Sequence, residues 1–253
     1  MSENLFWLSE AQMARLRPHL PYKVRGVPRV DYRRVISGIV HVLRSGCRWA
    51  DAPAAYGPRK TLYNRWRRWA EKGHWVRIFE ALADAGGPPA QVLIDSSAVS
   101  AHRSASGGKG GRFAQGIGRS RGGRTTRLHA LADRWCRTVR LMLTGGNVAD
   151  CIAAEKLLQR LPPDALVVTG DKGYDSTAVR DQMKRLGAFP NIPPRRNRKR
   201  RIFWCRNFYR NRNAIERMFG RLKDFRRIAT RHDRRADVFL SPVALAATVS
   251  YWL

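Results

Sequence analysis

Residues 91–95 read Gln-Val-Leu-Ile-Asp and residues 165–171 read Ala-Leu-Val-Val-Thr-Gly-Asp, two short apolar runs that each reach an aspartate. Runs this short, built from Val, Leu and Ile, suit buried strands better than helices. Working outward, Gln91 to Ser100 reads as one strand. Thr125 to Ala132 and Thr138 to Leu143 alternate apolar and polar residues, with Asp133-Arg134-Trp135 as the turn of a hairpin. Ala149 to Leu161 is helical and stops before Pro162-Pro163. Leu166 to Thr169 is a strand, Ser176 to Leu186 a helix capped by Asp175, and Ala188 to Ile192 a short strand. A basic loop, residues 195–201, leads into a helix over residues 209–223.

The order strand, hairpin, helix, strand, helix, strand, helix predicts an α/β fold, a mixed sheet flanked by helices in the ribonuclease H-like arrangement. Gly86-Gly87-Pro88-Pro89 is a boundary signal. It separates a helical domain (1–87) from the sheet domain (88–253), whose basic loops lie at 104–124 and 195–207. In the first domain Ser9-x-x-Gln12 is a capping box, and Pro18 and Pro21 close the helix it opens. Asp31 caps a second helix with Val35, Ile36, Ile39, Val40 and Leu43 on one face and Gly46 as its stop. A third helix, Arg59 to Lys72, spaces Leu62, Trp66 and Trp69 for burial and leaves Lys60, Arg67 and Arg68 free. Short helices with a basic last member predict a helix-turn-helix-like DNA-binding module, the plainer alternative being a structural bundle with solvated arginines.

The 253 residues carry 49 basic against 19 acidic side chains, a formal charge of +30 that repels itself without a polyanionic partner. Nucleic acid is the first candidate and an anionic membrane surface the second; a purely structural basic protein is the simplest alternative. Residues 195–235 alone hold 17 Lys and Arg against 3 acids, which marks them for gripping phosphates. A hydrophobic content of 43 % with 8 Trp excludes a disordered chain. Cys47, Cys136, Cys151 and Cys205 are scattered without a C-x-x-C, so reduced thiols of a cytosolic protein are expected rather than zinc or disulfides. The start, MSENLFWLSE, lacks the basic and apolar regions of a secretory leader. Val238 to Leu253 is too short and too broken by Ser and Pro to span a bilayer, and reads as a closing helix.

Chemistry is expected at Asp95, Asp171 and Glu216. At roughly 100° per residue, Tyr209, Arg212, Glu216 and Lys223 share one face of the helix over 209–223. Ile215, Met218, Phe219 and Leu222 form an adjoining apolar stripe, and Arg210, Arg217 and Arg221 a separate basic one. Asp95 alone reads as a polar strand end beside Ser96-Ser97, and Asp171 alone as a turn residue. Two strand-end aspartates with a helix glutamate, in this order, read as the carboxylates of a metal-dependent nuclease-type site. Phosphodiester cleavage needs an activated hydroxyl or water and a stabilised leaving oxygen, and two divalent ions about 3.5–4 Å apart supply both. Magnesium prefers oxygen ligands and keeps several waters, so two or three carboxylates suffice. His102, His129 and His232 have no metal spacing, and core or surface roles are expected for them.

Tyr209-x2-Arg212-x3-Glu216-x6-Lys223, behind Asp95 and Gly170-Asp171-Lys172-Gly173-Tyr174, resembles the DDE transposases of bacterial insertion sequences, closest to the insertion-sequence-five branch. Cys47-Arg48-Trp49, Tyr56-Gly57-Pro58 and Tyr63-Asn64-Arg65-Trp66 resemble that family's leading domain. Residues 118–123 with Thr125-Thr126 and His129-Ala130 resemble its central signature. The resemblance implies binding of an element's terminal inverted repeats, strand cleavage, and joining of the 3′ hydroxyls to target DNA. It implies Mg2+ (two ions, replaceable by Mn2+) at Asp95, Asp171 and Glu216, and phosphate contacts by Arg212 and Lys223 with Tyr209 in support. Flanking DNA falls to Arg217 and Arg221, and the terminal repeat to Lys60, Arg67 and Arg68. Double-stranded DNA, no membrane, a homo-oligomer of at least two copies and a bacterial cytosolic, nucleoid-associated location are the corresponding expectations. A host-adopted DNA-binding protein and a ribonuclease H-like nuclease that does not transpose are the alternatives.

Overall fold

A computed structural model describes residues 5–21, 31–199 and 202–253. Residues 1–4 of the N-terminal stretch, and Arg200 and Arg201 of the basic loop, lie outside the described residues.

Among the described residues four α-helices come first: α1 (Glu10–Leu16), α2 (Tyr32–Ser45), α3 (Arg59–Glu71) and α4 (His74–Ala85). The expected caps are in place. Ser9 and Gln12 form a reciprocal capping box on α1. The Asp31 side chain accepts from the Arg33 amide at the start of α2, and Gly46 ends that helix at φ 75°, a left-handed conformation that glycine adopts without strain. Leu62, Trp66 and Trp69 are buried on one side of α3.

The sheet follows: β1 (Gln91–Ala101), the four-residue α5 (Gly111–Ala114), β2 (Gly118–Ser120), β3 (Gly123–Asp133), β4 (Thr138–Gly145), α6 (Asp150–Leu158), β5 (Val167–Gly170), α7 (Thr177–Arg185) and β6 (Phe189–Asn191). The chain ends with α8 (Arg206–Tyr209), α9 (Asn213–Lys223), α10 (Arg226–Ala229), β7 (Thr230–Arg231) and α11 (Ala236–Ala247), which runs on into a π-helical turn. β3 lies antiparallel between β1 and β4, while β5 runs parallel to β1 and β6 parallel to β5. The main order β4-β3-β1-β5-β6, with β2 pairing the start of β3 and β7 the end of β1, is the ribonuclease H-like mixed sheet that the element order predicted.

Strand pleating sends alternate residues of β1 to opposite faces. Leu93 and Val99 join a core with the N-terminal helices, α9 and α11. Val92 and Ile94 join a second core against α6 and α7. The N-terminal helices are thus packed on one face of the sheet, within the same apolar core as the helix bearing Glu216. Residues 238–253 fold as the closing helix expected of them, with Phe239 and residues 243–247 buried.

Three local expectations are corrected. The helix over 209–223 is two helices: Tyr209 ends α8, and α9 begins at Asn213 with Arg212 as the flanking residue. Asn211 lies in the break and donates its side-chain amide to the Arg134 carbonyl at 2.6 Å, a tertiary bond that competes with helix continuation. The cap of α7 is Ser176, which accepts from the Val179 amide. Asp175 is instead buried against Arg180 (2.7 Å) and Arg198 (2.9 Å). The Gly/Arg/Ser segment 104–123 is not a plain loop, since β2 pairs with β3 and Ala105 and Ile117 are buried.

Candidate active site

Asp95 is the fifth residue of β1 and shares its face with Leu93, toward α9. Gly170 ends β5 beside it, and a Cβ there would stand 2.8 Å from Ile94 Cγ2, so glycine lets the two parallel strands close up. Asp171 follows at once. Its Oδ1 accepts from the Gly173 amide at 2.8 Å and caps the tight turn Lys172–Tyr174. Glu216 lies in the first turn of α9, whose Ile215, Met218, Phe219 and Leu222 are buried as the apolar stripe required.

The three carboxylates converge on one guanidinium. Arg212 donates to Asp95 Oδ2 at 2.7 Å and to Glu216 Oε1, and stands 4.0 Å from Asp171 Oδ2. Asp95 is the most enclosed of the acids, its side chain 13 % exposed against 39 % for Asp171 and 56 % for Glu216. Burial pushes the Asp95 carboxyl up to about 6, against the opposing pull of Arg212 and the Ser96 amide. Among the described residues no three Asp, Glu, His or Cys side chains stand close enough to share one ion; the shared cation is Arg212. The donor set itself, all carboxylate oxygen around a positive charge, fits a hard divalent ion.

Lys223, at the end of α9, donates to Ser97 Oγ at 2.7 Å and to the Ala98 carbonyl at 3.0 Å, and burial lowers its pKa. It therefore lies along β1 just beyond Asp95. Tyr209 packs edge-on against Trp204, ring centroids 5.2 Å apart. Burial raises its phenol pKa, and the charges of Arg212 and of the three acids act on it as well. Arg217 turns away, bonding Asn213 Oδ1 and reaching Cys136 Sγ at 3.6 Å, and Arg221 is exposed. The break at 210–212 removes the single-helix face that was to align Tyr209 and Arg212, yet both reach the site.

Lys60, Arg67 and Arg68 are exposed on α3 and are not brought to the carboxylates. Arg67 pairs with Glu71 at 3.0 Å and Arg68 donates to the Asn64 carbonyl. Arg67, Trp49 and Tyr63 line one wall of a groove whose other wall includes Lys109 and Arg234. His129 is buried, whereas the rings of His102 and His232 lie 4.7 Å apart near the end of β1. All four cysteines are free.

Sequence reasoning missed a polar layer directly behind Asp95. Ser96 projects to the opposite face and donates to Asp150 Oδ1 at 2.7 Å, and Arg127 donates to both oxygens of Asp150 at 2.9 and 3.0 Å. The nearest signal was an acid in the first turn of α6, which alone marks only a helix start.

Residues 86–249 match the family described as "Transposase DDE domain", and residues 8–79 match "Putative transposase of IS4/5 family". A Brucella ovis protein, "Putative transposase for insertion sequence element IS6501", is 33 % identical over 132 residues, 51 % of this chain and 98 % of the relative. A Burkholderia cepacia protein, "Putative transposase for insertion sequence element IS402", is 29 % identical over 49 % of this chain and 61 % of its own length. In fold, the chain superposes on the piggyBac transposase of a synaptic complex with hairpin DNA, with a TM-score of 0.54 at 11 % identity, covering 97 % of this chain and 72 % of that one. Among the described residues no helix is long and apolar enough to cross a membrane. A family match over the whole sheet region, on the fold such a catalytic core requires, settles the kinship: this chain belongs to the DDE transposases of insertion sequences.

Proposed function

We propose that the protein binds the terminal inverted repeats of an insertion sequence, cleaves DNA strands at its ends and joins them to target DNA, with Asp95, Asp171 and Glu216 as the catalytic acids. The observation that carries this reading is the convergence of those three carboxylates, from two parallel strands and one helix, on the single cation Arg212. Side chains gathered around one positive charge are suited to hold others.

Asp95 and Asp171 would hold two Mg2+ ions, or Mn2+ in their place, with Glu216 completing the set. Held there, such ions would supply activation of the attacking oxygen and charge stabilisation of the leaving 3′ oxygen. The remaining work falls to the chain. Arg212 and Lys223 flank Asp95 and present donors to a phosphate laid over it, Arg212 by moving its fork from carboxylate to phosphate oxygen. Tyr209 backs Arg212. Arg217 and Arg221, turned away from the carboxylates, bind flanking DNA, while Lys60, Arg67 and Arg68 on α3 bind the repeat. Two DNA ends need two catalytic units, so the working form is at least a dimer on DNA, in the bacterial cytosol.

The test uses the full chain and duplexes carrying the inverted repeats that flank its coding region. With Mg2+ the expected products are strands cut at the repeat boundary and joined to a target duplex, and chelation abolishes both. Binding without cleavage in Mg2+ or Mn2+ would reduce the protein to a DNA-binding protein. Cleavage without joining would make it a nuclease.

A further inference from the structure

Behind Asp95, on the face of the sheet away from α9, five polar side chains cap the second core. Ser96 and His129 are cross-strand partners on β1 and β3, and Arg127 follows two residues before His129 on the same face. Asp150, the first residue of α6, accepts from Ser96 and Arg127. His129 lies 3.9 Å from the same carboxylate and bonds Thr144 Oγ1 at 2.8 Å. Tyr174, fully buried in the turn that Asp171 caps, completes the layer: its hydroxyl feels the charges of Asp150, Asp95 and Asp171 together.

This layer has a mechanical consequence for the site. The Asp95 carboxylate is held through Oδ1 by the Ser96 amide at 2.8 Å, and the Ser96 hydroxyl is held by Asp150. An unbroken chain therefore runs from the Asp95 carboxylate through Ser96 and Asp150 to Arg127 on the neighbouring strand. Asp150, its side chain 25 % exposed, is thus one anion bonded to both β1 and β3. Because Arg127 neutralises that anion, removing either partner leaves an uncompensated charge. A carboxylate that must meet an ion within a few tenths of an ångström gains from support of this kind.

We propose that Asp150 is a positioning residue: acting through Ser96, it fixes the stretch of β1 from which Asp95 projects, and so sets the affinity of the site for divalent cations. The proposal rests on the reading of Asp95 as a metal ligand. Asp150 itself touches neither DNA nor ion.

The experiment measures Mn2+ binding to the full chain by calorimetry, without DNA, for the wild type and for Ser96→Ala, Ser96→Thr and Asp150→Asn. Circular dichroism and melting temperature report folding. Ser96→Ala removes only the hydroxyl link and leaves the Asp150–Arg127 pair intact. It should weaken Mn2+ binding about ten- to a hundredfold, the usual range when a supporting bond to a ligand is removed. Ser96→Thr keeps a hydroxyl and should stay within about threefold of the wild type, and Asp150→Asn should match or exceed the loss in Ser96→Ala. Cleavage at saturating DNA should fall in the same order, with DNA affinity unchanged. If Asp150→Asn fails to fold, the two Ser96 variants decide. Wild-type Mn2+ affinity in Ser96→Ala overturns the proposal. So does an equal loss in Ser96→Ala and Ser96→Thr, because the effect then belongs to packing. A wild type that binds no Mn2+ overturns the metal reading of Asp95 and this inference with it; unchanged variants of a wild type that does bind overturn this inference alone.

Discussion

Arg212 donates to Asp95 Oδ2 at 2.7 Å, and through that bond ties the start of α9 to the middle of β1. Both partners are largely enclosed, the side chains 19 % and 13 % exposed, so the bond is screened less than a surface pair. The same guanidinium reaches Glu216 and lies near Asp171, and so offsets the repulsion of three gathered carboxylates. The oxygens that accept from Arg212 are those a divalent ion would take. Arg212 and the ion therefore compete for Asp95 and Glu216, and a scissile phosphate offers the displaced guanidinium a new partner.

Asp95→Ala, Asp171→Ala and Glu216→Gln should each reduce strand cleavage to background while leaving DNA affinity within about twofold, because affinity comes chiefly from Lys and Arg on phosphates. Gel-shift and cleavage assays on one preparation separate the two. Robust cleavage in Mg2+ by any of the three removes that residue from the site.

Competition at Asp95 makes a double claim for Arg212. Arg212→Ala should tighten Mn2+ binding measured without DNA, yet lower the cleavage rate at saturating DNA, the mark of an interaction needed in the transition state. Lys223→Ala should lower the rate in the same way. Arg217→Ala and Arg221→Ala should mainly weaken DNA binding, each lowering the salt slope by about one unit for every phosphate that the variant no longer neutralises. Equal behaviour of the two sets in single-turnover cleavage would sink the division between them.

How much of the fold is legible in the sequence follows the range of the interactions involved. The strands and the β3–β4 hairpin are legible because side-chain alternation is local, and the Ser9 and Asp31 caps because each bonds within three residues. The break in the helix over 209–223 is not, because Asn211 is drawn off by a carbonyl on the hairpin 77 residues away in sequence. Asp175 resembles a cap because it stands just before α7; that it pairs with Arg180 on that helix and with Arg198, which meets it only once β6 and the following loop are in place, is not announced by the spacing. Asp171 and Glu216 are legible because a strand end and the helix period announce them; Asp95 is legible as the close of the apolar run Val92–Ile94, but it is not the strand end expected, since β1 runs on to Ala101. Asp150 is hidden because it gains its meaning only when β1 pairs with β3 and brings Ser96 and Arg127 together.

Lys60→Ala, Arg67→Ala and Arg68→Ala should weaken binding to the terminal repeat without changing the cleavage rate at saturating DNA. The full chain is the right material, since α1 to α4 share a core with α9 and α11 and a fragment would expose it. A triple variant that binds the repeat with wild-type affinity and salt dependence would remove α3 from the DNA interface.

Asp175 is a structural charge. Burial works against its ionised form, but bonds from Arg198, the Arg195 amide and Arg180 outweigh it and hold the carboxyl below its ordinary value. Its side chain is fully buried and that of Arg180 is 3 % exposed. Asp175→Ala strands Arg180, and should cost about 3–5 kcal/mol in denaturant unfolding. The stability Asp175 supplies is present above the unfolded carboxylate pKa, near 4, and is lost as pH falls through the lower folded value. A cost under about 1 kcal/mol would show that Arg180 finds solvent or another partner.

His129 sets a second dependence, of recognisable sign. Burial drives its pKa down to about 4, with Asp150 pulling it up and Arg127 pushing it down. At neutral pH the ring is uncharged and its contact with Asp150 is not an ion pair. The unfolded chain takes up this proton near pH 6.5 and the folded chain only near 4, so folded stability falls as pH drops through that window. The loss approaches roughly 2–3 kcal/mol by pH 4.5. Asp95 works in the opposite direction in the metal-free protein: its folded value, about 6, lies above the unfolded one, so it gains its proton first on folding and favours the folded state as pH falls. The wild-type curve therefore mixes two opposed slopes, and a variant must isolate one. His129→Gln keeps a side-chain amide facing Thr144 and removes only the titration. Denaturant unfolding from pH 7.5 to 4.5 should show the variant gaining on the wild type by roughly 2–3 kcal/mol across that range. Parallel curves would mean that His129 is protonated in the folded state with its charge answered by Asp150, and that the layer behind Asp95 carries an ion pair there.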